Sequence, residues 1–401
     1  MLSPDRRKLK IAMVCDAVTD YLGGALVSTA RFAEGLIGRG HSVIYITGKS
    51  PRNRSSGFHG PIEVFRFRSF PAPYFDGQFY LGLPTGKEIR EILRSQNVDL
   101  VHILLPMPSG VVAARAARAL QIPVVVHSHM LPEVLTVNMP RFVPKAWFHN
   151  LFYRYAHWFY GSSDAIVFST EYSRQLFAAL AKRCNTSVIS NGVNADVFRC
   201  GETGDFFDKF RAARNKKNLL FVGRLHPEKG VETLIEAMPH IVREHADAHA
   251  IVVGSGSRRA RLEQLAAGLG VASQVTFLGY VNDDDLLHAF NASDVFVLPS
   301  VAEIEPLVVL EAMACGKPLL VSDALKGIST SECGNGLTFE TGNHVDLAAK
   351  ACKLLADPAM LSAMGQRSHD VSRRYDIRES VAALETLYYS LLPPMNADAR
   401  P

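Results

Sequence analysis

Ser300-Val301-Ala302-Glu303-Ile304-Glu305-Pro306-Leu307-Val308-Val309-Leu310-Glu311-Ala312-Met313-Ala314-Cys315-Gly316-Lys317-Pro318 is the stretch on which the reading of this chain turns. Glu303 and Glu311 stand eight residues apart, one before a helix start and one in the helix's second turn. Pro306 suits the first helical position, where its missing N–H would lack a partner anyway. Leu307, Val308, Leu310, Ala312 and Met313 give that helix an apolar body. Upstream, Ser293-Asp294-Val295-Phe296-Val297-Leu298-Pro299 predicts a short buried strand that stops at its proline. In an α/β sheet, strand, short loop and helix start form the place where a phosphate-bearing ligand meets unpaired amides. Ionised carboxylates beside it suit hydroxyls, for which they are strong acceptors.

Working outward, apolar strands are predicted over 219–223, 250–254, 274–279, 295–298 and 318–322, separated by helical patterns. The first of them runs into Gly223-Arg224-Leu225-His226-Pro227-Glu228-Lys229-Gly230 and then a helix. Arg224 and Lys229 place two cations at a strand's carboxyl end, one a bidentate fork and one a point charge, suited to a diphosphate. Gly254-Ser255-Gly256 and Gly279 end other strands, where a small residue lets a nucleotide approach the backbone or simply allows a turn. The first half repeats the alternation, with strands over 10–15, 41–47, 99–104, 123–127 and 165–169. Gly23-Gly24 follows its first strand, as a tight turn or as an approach for a ligand. His127 and His129 close its fourth strand on one face, as ligand contacts or as buried structural imidazoles. Strands alternating with helices imply two doubly wound parallel sheets, with a cleft between them at their carboxyl ends. No G-x-G-x-x-G opens either half, which argues against a dehydrogenase.

A chain of 401 residues exceeds what one core usually organises. The expected division is an acceptor-binding domain over 1–195, a nucleotide-binding domain over 196–376 and a final helical segment over 377–401 that packs back on the first. Six cysteines without a C-x-x-C pair argue against a zinc site or a disulfide framework and suit a reducing cytoplasm. The basic start Met1–Lys8 lacks the apolar core of a signal peptide, and no run of eighteen apolar residues is present. Residues 1–195 carry 22 Lys/Arg against 12 Asp/Glu, a net +10, and the remainder 21 against 27, a net −6. A basic half invites an anionic partner, and the dispersal of its charges disfavours nucleic acid. Residues 142–160 hold both tryptophans, Trp147 and Trp158, among Arg141, Lys145 and Arg154, a composition suited to a bilayer headgroup layer or to packing on the sheet. The run Asn282-Asp283-Asp284-Asp285 opens a helix and is expected to cap it and to bind no metal.

Taken together, E-x7-E-A-M-A-x-G-x-P from Glu303 to Pro318 and G-R-x-x-x-E-K-G from Gly223 to Gly230 resemble the retaining GT-B glycosyltransferases of family 4. The resemblance covers nearly the whole chain. It implies two Rossmann-like domains, a nucleotide-sugar donor, no resident metal or cofactor, and catalytic roles for His129, Glu303, Arg224 and Lys229. In that family the first glutamate contacts the donor sugar, here Glu303, and the second the ribose, here Glu311. The implied donor set is Gly23, Gly24, Arg224, Lys229, Gly254, Gly279, Glu303, Ile304, Pro306, Leu307 and Glu311. The family's usual Gly-Phe-Gly is Ile304-Glu305-Pro306 here, which removes an amide donor and sets an extra charge beside the sugar. That variant, with Arg68–Tyr74 and His127–Pro132, resembles diacylglycerol glucosyl- and sulfoquinovosyl-transferases. The expectation is therefore a hexose moved from a UDP-sugar to a lipid such as diacylglycerol by a cytoplasmic protein. It would be held peripherally at the anionic inner face of the cytoplasmic membrane. Alternatives are GDP-mannose with a phosphatidylinositol-type lipid or soluble glycan as acceptor, and, from another class, a sugar-nucleotide epimerase or binding protein.

Overall fold

Runs of Val, Ile and Leu with no polar alternation belong to strands covered on both faces, and such strands pair in parallel. The computed structural model describes residues 7–16, 24–49, 62–71, 80–129, 136, 144–181, 184–210 and 214–393. The chain divides into two compact units, Met1–Met130 with Phe142–Ser190 and Ile377–Pro401, and Leu131–Arg141 with Asn191–Asp376.

In the first unit the strands are β1 (Lys10–Val14), β2 (Ser42–Gly48), β3 (Glu63–Phe67), β4 (Ser69–Pro71), β5 (Tyr80–Gly82), β6 (Leu100–Ile103), β7 (Val124–Ser128), β8 (Ala165–Phe168) and β9 (Asn185–Val188). Seven of them form a sheet in the order β3-β2-β1-β6-β7-β8-β9, parallel throughout, while β4 and β5 pair antiparallel. The second unit holds β10 (Lys217–Val222), β11 (Ala248–Val253), β12 (Val275–Gly279), β13 (Val295–Leu298), β14 (Leu319–Ser322) and β15 (Gly336–Phe339). They are ordered β12-β11-β10-β13-β14-β15, again all parallel. Each sheet therefore reverses its winding at one place, between β1 and β6 in the first and between β10 and β13 in the second. Among the described residues no helix is long and apolar enough to cross a membrane, and none of the six cysteines is in a disulfide.

Three strands of the two large sheets lack a sequence signal, and all three are edges. β3 and β9 have no fully buried residue and β15 only its two ends, so no apolar run is needed there. The division between units falls at Ser190, five residues before the expected 195, because Asn191 and Val193 are tied to Glu305 and Asp376 of the second unit.

The final helix, Ile377–Leu391, is part of the first unit. Val381, Leu384, Leu387 and Tyr388 enter that unit's core beside Leu36, Val43 and Leu100. A buried polar knot fixes it further. Leu9 N donates to His41 Nδ1 at 3.1 Å, which leaves the other ring nitrogen, Nε2, to donate to Glu385 Oε1 at 2.8 Å. Arg39 adds two bonds to Glu385 Oε2, at 3.0 and 2.6 Å. Burial pushes the Glu385 carboxyl up, but the bonds from Arg39 and His41 outweigh it and hold the pKa below its ordinary 4.5. A lowered folded value means the stabilisation is complete above about pH 4.5 and is lost as pH falls through the folded value. Glu385→Gln should therefore lower the midpoint of urea unfolding at pH 7 and narrow its difference from the native chain below pH 4. An equal difference at both pH values would contradict this assignment.

Candidate active site

Connections leave β10 and β13 in opposite directions along the sheet, and in open α/β sheets the ligand crevice lies outside the carboxyl ends of the strands at such a reversal. One loop is Gly223–Gly230, closing on the short turn Pro227–Lys229 before the helix Val231–Glu244. The other runs from Pro299 to Pro306 and enters the helix Leu307–Ala314. Two bonds join them: Val301 N donates to Glu228 O at 2.9 Å, and Lys229 Nζ to Glu303 Oε1 at 2.5 Å. Gly230, with φ +61°, sits so close to the second loop that a Cβ there would lie 2.2 Å from Pro299 O.

Each cation of the first loop is thus met by a carboxylate. Arg224 Nη2 donates to Glu228 Oε1 at 3.0 Å, and Lys229 takes Glu303. Glu311 is only 4% exposed on an otherwise apolar helix, so it is no surface glutamate. Ile304, Pro306 and Leu307 are buried beside it in sequence. Two expectations need correction. Pro306 is the cap preceding the helix, not its first residue, because its ψ of 124° is extended. Glu305, expected as an extra charge on the loop, is instead buried, and its Oε2 accepts from Asn191 N at 2.6 Å.

Gly254 N donates to Gly279 O at 2.8 Å. A Cβ on Gly254 would meet Gly223 O at 1.9 Å, so contact between neighbouring strand ends accounts for this glycine without a ligand. The Asn282–Asp285 run caps its helix, Asn282 Oδ1 accepting from Asp285 N at 2.8 Å while Lys209 holds the Asp285 carboxylate.

In the first unit His127 and His129 do share a face, their rings stacked 4.0 Å apart. His102 of β6 extends the stack at 5.6 Å, and the Tyr388 hydroxyl lies 2.6 Å from its Nδ1. Among the described residues neither nitrogen of His127, nor Nε2 of His102 or His129, has a hydrogen-bond partner. Burial lowers all three pKa values, to about 3 for His102 and about 4 for His129, so the column is neutral near pH 7. Sequence reasoning missed His102; the available signal was a lone imidazole inside an apolar strand. Gly24 opens the helix Gly24–Gly38 with open space about it, and Gly23 lies outside the described residues, as does Arg141.

The helix Lys145–Tyr160 is two-faced. Phe152, Ala156, Phe159 and Tyr160 are buried, while Trp147 is 60%, Leu151 48% and Trp158 53% exposed. Arg154 completes that outer stripe at helical spacing, Lys145 is exposed at its start, and the Arg115 guanidinium stands 5.8 Å over the Trp158 ring.

Residues 202–371 match the family described as Glycosyl transferases group 1 and residues 22–197 the Glycosyltransferase Family 4. An uncharacterised glycosyltransferase of Methanocaldococcus jannaschii is 32% identical over 87% of this chain and 90% of its own. The sulfoquinovosyl transferase of Arabidopsis thaliana is 26% identical over 92% of this chain and 71% of its own. The alpha-monoglucosyldiacylglycerol synthase of Acholeplasma laidlawii is 22% identical over 97% and 98%. Among solved structures, a sucrose-phosphate synthase from Thermosynechococcus elongatus matches with a TM-score of 0.77 at 21% identity, over 96% of this chain and 99% of its own. HepE of Anabaena, solved with UDP, matches with a TM-score of 0.75 at 20% identity, over 95% and 100%. Two parallel sheets of this order, matched over nearly the whole chain by these structures, are the GT-B fold, and the family matches make the chain a transferase enzyme. The chain belongs to the group 1 glycosyltransferases of family 4.

Proposed function

We propose that the chain moves a hexose from a UDP-sugar to diacylglycerol or a closely related membrane lipid, with retention at the anomeric carbon. The observation that carries this reading is the joined pair of loops at the β10/β13 crevice, with two cations and Glu303 at one edge and Glu311 buried in the following helix. In the reaction, the bond from the sugar's anomeric carbon to the diphosphate oxygen breaks and a bond to the lipid hydroxyl forms on the same face. The hydroxyl proton leaves on the diphosphate. Arg224 and Lys229 neutralise the charge that grows on that leaving group, the kind of electrostatic stabilisation that contributes most to rate in such sites. Glu303 accepts from sugar hydroxyls and Glu311 from the ribose. The UDP bound by HepE and the diacylglycerol in the name of the Acholeplasma relative support the choice of donor and acceptor. Incubation with a panel of nucleotide sugars and diacylglycerol vesicles, with products identified by mass, tests it. Failure to glycosylate the lipid from any donor would refute the acceptor, and an epimerised nucleotide sugar, resolved by NMR, would indicate an epimerase.

The exposed stripe of Trp147, Leu151, Arg154 and Trp158, with Lys145, supports peripheral attachment to an anionic bilayer, and the inner face of the cytoplasmic membrane is the site we propose for it. Trp147→Ala with Trp158→Ala should reduce co-flotation with anionic vesicles about tenfold and leave UDP binding intact. Unchanged flotation would remove this helix from the membrane contact.

A further inference from the structure

Glu228 has no ligand role in the reading above, yet its placement is unusual. Its side chain is 4% exposed, whereas that of its partner Arg224 is 35% exposed. One carboxylate oxygen takes Arg224 Nη2 at 3.0 Å, and the other, Oε2, is buried with no hydrogen-bond partner among the described residues. A buried acceptor left bare costs free energy, so the side chain is not there to satisfy its own surroundings. It is not needed to join the loops either, since the bond to Val301 N uses the Glu228 backbone carbonyl. Nor does Arg224, partly open to water, require a buried partner to be satisfied. What the pair does accomplish is to hold one end of a long, freely rotating guanidinium. A fork recognises a diphosphate only in one orientation, and an arginine already held loses less freedom on binding.

We infer that Glu228 is a positioning residue that holds the Arg224 guanidinium, at the β10/β13 crevice, in the orientation that receives the donor's diphosphate. The inference rests on the nucleotide-sugar reading of that crevice. Lys229 is held in parallel by Glu303, from the opposite loop, so the two cations are set independently.

A double-mutant cycle separates this role from a structural one. UDP and GDP are titrated by calorimetry against the full chain, R224A, E228A and R224A/E228A, and kcat and KM for the donor are measured beside them. E228A should weaken binding of the preferred nucleotide roughly 30-fold in the native background and less than about twofold when Arg224 is already absent, since residues acting through one contact are not additive. E228Q, which keeps the shape and an oxygen facing Nη2, should bind within about threefold of the native chain. Thermal melts confirm folding, and if E228A fails to fold, E228D, too short to reach Arg224, takes its place in the cycle. Equal losses from E228A with and without Arg224, no loss at all, or E228Q as weak as E228A would each overturn the inference. R224A without effect on either nucleotide would instead sink the donor reading beneath it.

Discussion

Lys229→Ala is expected to lower kcat/KM for sugar transfer by about a thousandfold, with the fold retained. The Lys229 side chain is 18% exposed and its carboxylate partner Glu303 11%, so the ammonium acts from a partly dry site where charge is poorly screened. Two effects add. The leaving diphosphate loses a cation that stabilises it more as its charge grows, which lowers kcat. Glu303 is also left without its counter-ion beside an incoming polyanion, which raises KM. The second effect is separable: Glu303→Gln in the Lys229→Ala background should recover part of the nucleotide affinity, though not the rate. Steady-state kinetics with UDP calorimetry reads both. A Lys229→Ala enzyme within tenfold of the native kcat/KM would remove the cation pair from the chemistry.

How much of this was legible in the sequence follows from what each feature depends on. Central strands such as β7 and β13 are buried along their whole length, so each carries an apolar run that announces itself locally. The edge strands β3, β9 and β15 face solvent on part of their surface and leave no such mark. Arg224, Lys229, Glu303 and Glu311 were visible because the spacing within each loop and helix is local. Their pairing was not: Lys229 and Glu303 are 74 residues apart and meet only because Leu219 of β10 stands opposite Val295 of β13. The burial of Glu305 against Asn191 was hidden for the same reason, since the two are 114 residues apart. The histidine column likewise needs the β6/β7 register, in which His102 lies opposite Val125, two residues from His127. The two faces of the helix Lys145–Tyr160 were present in its spacing, but aromatics occupy both, so composition did not say which one meets the sheet.

Gly230→Ala should cost about 3 kcal/mol of stability and most of the nucleotide affinity together. The residue adopts φ +61° and ψ +27° between the Pro227–Lys229 turn and the following helix, a left-handed conformation that disfavours alanine by about 1 kcal/mol. The greater cost is steric. A methyl group 2.2 Å from Pro299 O cannot be accommodated by a flexible side chain, because the obstacle is backbone. The Pro299–Pro306 loop must move away, carrying Val301 from Glu228 O and Glu303 from Lys229. Gly24→Ala makes the contrasting control, since a Cβ there meets nothing within 4 Å and the position is helical. Urea unfolding of the two variants should therefore diverge, with only Gly230→Ala losing stability, and UDP calorimetry on Gly230→Ala reads the loss of affinity. A Gly230→Ala chain as stable as native and binding UDP normally would mean that the two loops are not locked together at this contact.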